Sequence, residues 1–151
     1  MAIVSGAHGP SRGQPGISAM TRDVHSFFET YRDAFNRLDG QAVSAHYDTP
    51  AMIAHAGGNG IFANIEALEA NNAALCAQYA NSGFQQAAFE ERSFVPQGND
   101  FCVADLAWTI TRKDQVAQCF NTSYALARRG GNWKIFCVTA YEERRTWTEN
   151  E

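Results

Sequence analysis

The sequence predicts an α+β fold in which a curved antiparallel sheet wraps a layer of long helices. Three observations predict it. Apolar residues recur at helical spacing through the first half of the chain, the period drops to two from Phe84 onward, and the turn signals QGND, RKDQ and RGGN divide the second half into four strands. Sequential strands joined by such short turns run antiparallel. Helices first and a strand meander afterwards is the order of an α+β domain.

The elements follow in turn. Residues 1–20, MAIVSGAHGPSRGQPGISAM, are rich in Gly, Pro and Ser and lack the apolar core of a secretory signal, so they read as a flexible arm with Met20 as an alternative start. A single domain is expected over 21–151. Val24, Phe27, Phe28, Tyr31, Phe35 and Leu38 form one face of a long helix that Gly40 is placed to end. QAVSAHY predicts a short second helix, stopped by Pro50. AMIAHA, residues 51–56, predicts a brief strand running into GGNG. Ile65, Leu68, Leu75 and Tyr79 mark another long helix, with Asn64 as N-cap and Gly83 at its end.

Composition narrows the class of function. A chain of 151 residues with 45% hydrophobic content closes one core. The formal charge of −4, with Lys and Arg scattered, offers no footprint for a phosphate backbone, so no nucleic acid is expected. No apolar run approaches the roughly 20 residues that cross a bilayer, so no membrane is expected either. Cys76, Cys102, Cys119 and Cys137 lie in apolar segments without a CxxC pair, which suits reduced thiols in a cytoplasmic protein. Three motif matches carry no weight. GNGIFA imitates a dinucleotide fingerprint, but an antiparallel meander follows it and not a parallel crossover. The sequon Asn121-Thr122-Ser123 falls within a core strand. His25, His46 and His55 have no metal-ligand spacing, so neither metal nor other cofactor is expected.

The turns also predict a register. With Lys113–Asp114 and Gly130–Gly131 as two-residue turns, Asp105 stands opposite Thr122 and Thr122 opposite Thr139. One face then carries Phe101, Val103, Asp105, Phe120, Thr122, Tyr124, Leu126, Ile135, Cys137, Thr139 and Tyr141, an aromatic wall crossed by a polar row. Such a mixture lines small-molecule pockets. The opposite face carries Leu106, Trp108, Ile110, Cys119, Phe136 and Val138, too apolar to be left in water, and a second copy of the chain is the expected cover. A one-residue slip in either turn swaps these faces. Asp105 is the odd residue in FCVADLAWTI, because a buried carboxylate costs several kcal/mol unless it is hydrogen-bonded or neutralised.

The run FFETYRDAFNRLDGQAVSAHYDTPAMIAHAGG, with FCVADLAW and YALARRGGNWKIFCVTAYEE downstream, resembles the NTF2-like superfamily in its SnoaL-like and ketosteroid isomerase-like branch. The resemblance covers about residues 21–145. It implies a cone-shaped α+β barrel with a deep pocket between helices and sheet, commonly dimeric through the outer sheet face. It also implies roles. Tyr31 in ETYRDAF matches the tyrosine that hydrogen-bonds the substrate oxyanion, and Tyr47 matches a common pocket tyrosine. His55 stands where the isomerase branch keeps a carboxylate base, and an imidazole can abstract a proton near neutrality. The second acid of the branch has its counterpart around Thr122 or Ser123, neither of them acidic.

Each candidate has a plainer reading as well. Tyr31 reads equally as a core tyrosine with a satisfied hydroxyl, His55 as a half-exposed structural histidine, and Asp105 as a charge-paired residue at the rim. Two functions are therefore expected. One is a cofactor-free isomerase or lyase acting by proton transfer on a hydrophobic carbonyl or ring compound, with Tyr31, His55 and Asp105 as catalytic residues. The other is a dimeric, non-catalytic binding or scaffold domain. In both, a small hydrophobic molecule meets Tyr47, Phe101, Val103, Phe120, Thr122, Tyr124, Thr139 and Tyr141.

Overall fold

The computed structural model describes residues 16–145, and its elements run in the predicted order, with one extra strand. They are α1 (Ile17–Asn36), α2 (Gly40–Ser44), β1 (Tyr47–His55), β2 (Gly58–Phe62), α3 (Ile65–Asn81), β3 (Phe84–Gln97), β4 (Phe101–Arg112), β5 (Gln118–Arg129) and β6 (Asn132–Arg145). Most of the predicted arm lies outside the described residues. Its last residues do not: α1 already starts at Ile17, and Met20 is 2% exposed. The apolar stripe of α1 runs one turn further toward the N-terminus than Val24, which moves the start of the fold into the segment assigned to the arm.

Gly40 does not end α1. The helix closes at Asn36, Leu38 takes the left-handed conformation (φ 55°), and the Asp39 N–H reaches back to the Ala34 carbonyl at 3.0 Å. This is a helix C-cap built on a residue with a Cβ, which costs about 1 kcal/mol relative to glycine. Gly40 is instead the first residue of α2, capped by the Asp39 carboxylate, which accepts from the Ala42 N–H at 3.0 Å. Its missing side chain serves another end. A Cβ there would stand 2.8 Å from the Ala73 nitrogen and 3.0 Å from the Ala73 Cα and the Asn72 carbonyl carbon, so α2 and α3 meet backbone to backbone. In the same contact the Ser44 hydroxyl donates to the Gly40 carbonyl (2.8 Å) and accepts from the Asn72 carboxamide (2.9 Å), both side chains being buried.

The second helix is shorter than predicted. Tyr47 already pairs with Ile135, so β1 begins before Pro50, and the proline falls within the strand where its register against β6 shifts. The sheet order is β2-β1-β6-β5-β4-β3. Every neighbouring pair is antiparallel except β1 with β6, which is parallel, so the sheet is mixed. It curves without closing, and β2 and β3 are its free edges. Among the described residues no helix is long and apolar enough to cross a membrane.

The predicted register is corrected on both sides of β5. The β4–β5 connection is not a two-residue turn at Lys113–Asp114. Five residues, 113–117, separate the strands, and Asp105 stands opposite Ser123. The Gly130–Gly131 turn is as predicted, and the first pairs beyond it follow. A bulge at Phe136 then adds one residue to β6, which sets Thr122 opposite Ala140 and Ser123 opposite Thr139. Side chains alternate between faces, so each one-residue change turns a whole strand segment over. Leu106, Trp108, Ile110 and Val138, expected outside, are in the core. Phe101, Val103, Asp105, Cys137, Thr139 and Tyr141, expected inside, are on the convex face. All four cysteines are free, with Cys76 and Cys102 buried.

Candidate functional site

The concave face of the sheet, α1 and α3 enclose a cavity of about 840 Å³. Its walls follow from how the helices are held. On α1, Phe28 and Tyr31 fill the groove of the sheet with large rings, Phe28 lying 4.8 Å from the Tyr124 ring centroid. Helix α3 packs chiefly on α2 and touches the strands sparsely. On the cavity side it presents Asn71, Ala74, Leu75 and Gln78, at the i, i+3, i+4, i+7 spacing of one helical face. That face is too short in reach to meet the sheet.

At the floor, where α1, β1, β4 and β5 converge, stand Tyr31, Tyr47, Trp108 and Tyr124. The Tyr31 and Tyr47 hydroxyls are 2.8 Å apart, and the Trp108 indole N–H donates to the Tyr124 hydroxyl at 2.9 Å. Because the indole can only donate, the Tyr124 oxygen accepts there and its own proton is directed elsewhere. Burial pushes the Tyr31 phenol well up, and the neighbouring Tyr47 and Tyr124 push it further. Burial raises Tyr47 to about 12 and moves Tyr124 up as well. All three therefore stay protonated near neutrality and act as hydrogen-bonding groups rather than bases. Thr122, 2% exposed, places a buried Oγ1 beside the Tyr124 hydroxyl without a hydrogen bond of ordinary geometry. Among the described residues no acidic or basic side chain other than His55 lines the cavity.

His55 sits exposed at the mouth, at the end of β1. Its Nδ1 accepts the Gly57 N–H at 2.9 Å, and a Cβ at Gly57 would meet the ring at 2.8 Å. With that lone pair held, the neutral ring carries its proton on Nε2 and presents a donor.

Of the residues expected at the site, Tyr31, Tyr47, His55, Phe120, Thr122 and Tyr124 line the cavity. Asp105, Phe101, Val103, Thr139 and Tyr141 do not, for the register reasons above. Asp105 takes the Tyr141 hydroxyl on Oδ2 at 2.5 Å, with the Arg92 Nε at 3.8 Å, while its Oδ1 is buried without a partner. Its place in an apolar strand thus has a structural cause on the convex face. Sequence reading missed Trp108 and Ile110, which it put on the wrong face, and the polar part of the α3 wall. Of the helical stripe predicted there, Ile65, Leu68, Leu75 and Tyr79, the last two line the cavity, beside the carboxamides and alanines of the same helix. His25 bonds Glu91 and His46 bonds the Ala42 carbonyl, so the three histidines serve separate contacts. Among the described residues no three His, Cys, Asp or Glu side chains are grouped as metal ligands would be.

Comparison with known proteins adds the following. A family described as "NTF2-like protein (DUF6841)" matches residues 22–143. An NTF-2 like protein of unknown function from Shewanella oneidensis superposes with a TM-score of 0.70 at 15% identity, over 82% of this chain and 99% of that one. A domain of unknown function with a cystatin-like fold from Nostoc punctiforme gives 0.70 at 12%, over 90% and 83%. A ketosteroid isomerase-like protein from Erwinia carotovora gives 0.60 at 19%, over 80% and 95%. At such identities the likeness concerns the fold alone. No curated protein matches the sequence.

Proposed function

The chain belongs to the NTF2-like protein family (DUF6841), and from that premise we propose that it binds a neutral, largely apolar small molecule without turning it over, as a homodimer. The observation that carries this reading is the cavity wall. An aromatic chamber of about 840 Å³ is of the size that takes a drug-sized ligand. With no Lys, Arg or carboxylate among the described residues of that wall, a charged ligand would lose its hydration uncompensated. The tyrosine hydroxyls supply hydrogen bonds for a ligand oxygen at the floor.

Proton-transfer catalysis, the activity suggested by the ketosteroid isomerase-like neighbour, needs a base with a free lone pair in the cavity. Here the expected partners are divided. Asp105 is on the far side of the sheet, and His55 spends its Nδ1 on Gly57. The convex face supports the dimer: Val95 and Phe101 are 51% and 39% exposed there.

Native mass spectrometry of the freshly purified protein, before and after denaturation, tests both parts. The expected result is a dimer that releases a neutral compound on unfolding, with the compound lost or reduced in Tyr31→Phe. A monomer removes the assembly. Isomerisation of a β,γ-unsaturated ketosteroid that Tyr31→Phe and His55→Ala both abolish would replace the binding reading with the enzymatic one.

A further inference from the structure

We propose that the α3 rim of the cavity takes a neutral polyhydroxylated group, so that the ligand is glycoside-like, its ring system on the sheet and its sugar against α3. This rests on the pocket reading above and names the chemical class that the pocket selects.

Two independent observations support it. The first is in the sequence. From Ala70 to Phe89 the chain runs for 20 residues without Asp, Glu, Lys, Arg or His. Charged residues make up 19% of the protein, so about four are expected in such a stretch. The stretch is not buried, since most of α3 faces water or the open cavity. Exposed helix surfaces are normally charged, and this one is built of alanine and carboxamide instead.

The second is in the geometry. Asn71, Gln78 and Asn81 lie seven and three residues apart, close to one helical face, and all three line the cavity while remaining exposed. Among the described residues no hydrogen bond engages the Gln78 or Asn81 carboxamide, and the only bond of the Asn71 amide is a long one, 3.4 Å, to Asn72. A carboxamide offers donor and acceptor side by side, as does each hydroxyl of a sugar, so a row of them matches vicinal hydroxyls in either direction. The flat apolar face of a sugar ring also needs a surface, and the Phe62 ring lines the cavity as well. His55 adds a donor through Nε2 at the mouth. Among the described residues that line the cavity there is no carboxylate and no Lys or Arg, and the nearby Arg112, whose guanidinium lies over the Tyr79 ring, is held by Ser82 and Gln118. Neutral hydroxyls are the polar groups that this rim can satisfy.

The test is isothermal titration of the wild-type protein with three pairs of increasing ring size: 4-nitrophenol, 4-methylumbelliferone and naringenin, each against its β-D-glucoside. 4-Methylumbelliferyl glucuronide serves as the charged control. The expected result is that a glucoside binds about tenfold more tightly than its aglycone, as one or two net hydrogen bonds would give, and that the glucuronide does not share the gain. The double variant Asn71→Ala/Gln78→Ala, at two exposed positions, should remove the difference in affinity between the glucoside and its aglycone. Its melting curve is recorded to confirm folding. Aglycones that bind as tightly as their glucosides overturn the inference and leave the pocket reading intact. Failure of every compound to bind overturns both.

Discussion

Gly40→Ala offers a test in which local propensity and tertiary packing predict opposite signs. Gly40 is the first residue of α2, and its φ is not in the left-handed region. By helix propensity and unfolded-state entropy alone, alanine should stabilise the protein by about 0.5–1 kcal/mol. The packing says otherwise. The new Cβ would stand 2.8 Å from the Ala73 nitrogen and 3.0 Å from two further main-chain atoms, none of which can rotate away. Helix α3 must retreat by several tenths of an ångström. Overpacking of this kind costs about 1–3 kcal/mol, and the retreat also strains the buried Asn72–Ser44 hydrogen bond, with about 1–3 kcal/mol at stake. A net loss of about 3 kcal/mol corresponds to a fall of about 10 °C in Tm for a domain of this size. Calorimetry on both proteins, with urea unfolding in parallel, measures it. Ala73→Gly should not rescue the variant, because the obstructing atoms belong to the main chain. A Tm equal to or above that of the wild type would refute the close contact between α2 and α3, and with it the account of what positions the cavity wall.

Three further outcomes are expected. Thr122→Val removes a buried hydroxyl that has no partner. The ligand-free protein should be unchanged or up to about 1 kcal/mol more stable by urea unfolding, and a loss of that size would show that the hydroxyl is already hydrogen-bonded. Asp105→Asn weakens the contacts with Tyr141 and Arg92 on the convex face. It should cost about 1–2 kcal/mol of stability and leave ligand affinity within about twofold, the reverse of what a pocket carboxylate would do. The third concerns pH. Burial depresses the His46 pKa below its ordinary 6.5, so the unfolded chain takes up the proton first as pH falls. The stability that His46 contributes is complete above pH 6.5 and declines below it. The gap in urea midpoint between wild type and His46→Asn should therefore narrow from pH 7.5 to pH 5.

The helices were readable because each carries a local signal with one physical meaning. Phe28, Tyr31 and their neighbours on α1 have a single face to bury, and Asn64 caps α3 through the Ala67 N–H as its side chain type suggests. The faces of β4 were not readable. Phe101, Val103 and Ala107 on one side and Cys102, Leu106 and Trp108 on the other are both apolar, so hydrophobicity could not say which side meets the core. The decision fell to the length of the β4–β5 loop and to the bulge at Phe136. Nothing in KIFCV marks a bulge: no glycine or proline interrupts it. Asp105 looked like a pocket residue for this reason alone. Tyr31 and Tyr124 were found because α1 and β5 were placed correctly, Tyr47 only through the family resemblance, since the pattern put it in the second helix and it lies on β1, whereas Trp108, one strand away, went to the wrong side with the rest of β4.

The position of α3 links these observations to function. A concavity of this volume between a helix layer and a sheet would ordinarily be filled, since protein interiors are close-packed. On the α1 side it is filled, by Phe28, Tyr31 and Phe35. On the α3 side the residues along the cavity are mostly alanine and carboxamide, with Leu75 and Tyr79 the larger apolar ones, and they leave it open. The helix needs no such contact, because Gly40 against Ala73 and Ser44 against Asn72 fix it to α2. Helix α3 is thus held chiefly on α2 and at its ends, by Leu68 in the core and by Tyr79 on Phe35 and Phe84, and the stretch between faces the cavity with little packing on the sheet. The weakly amphipathic helix, the segment that hydrophobic patterning describes least well, is therefore the one that the proposed ligand would test most directly.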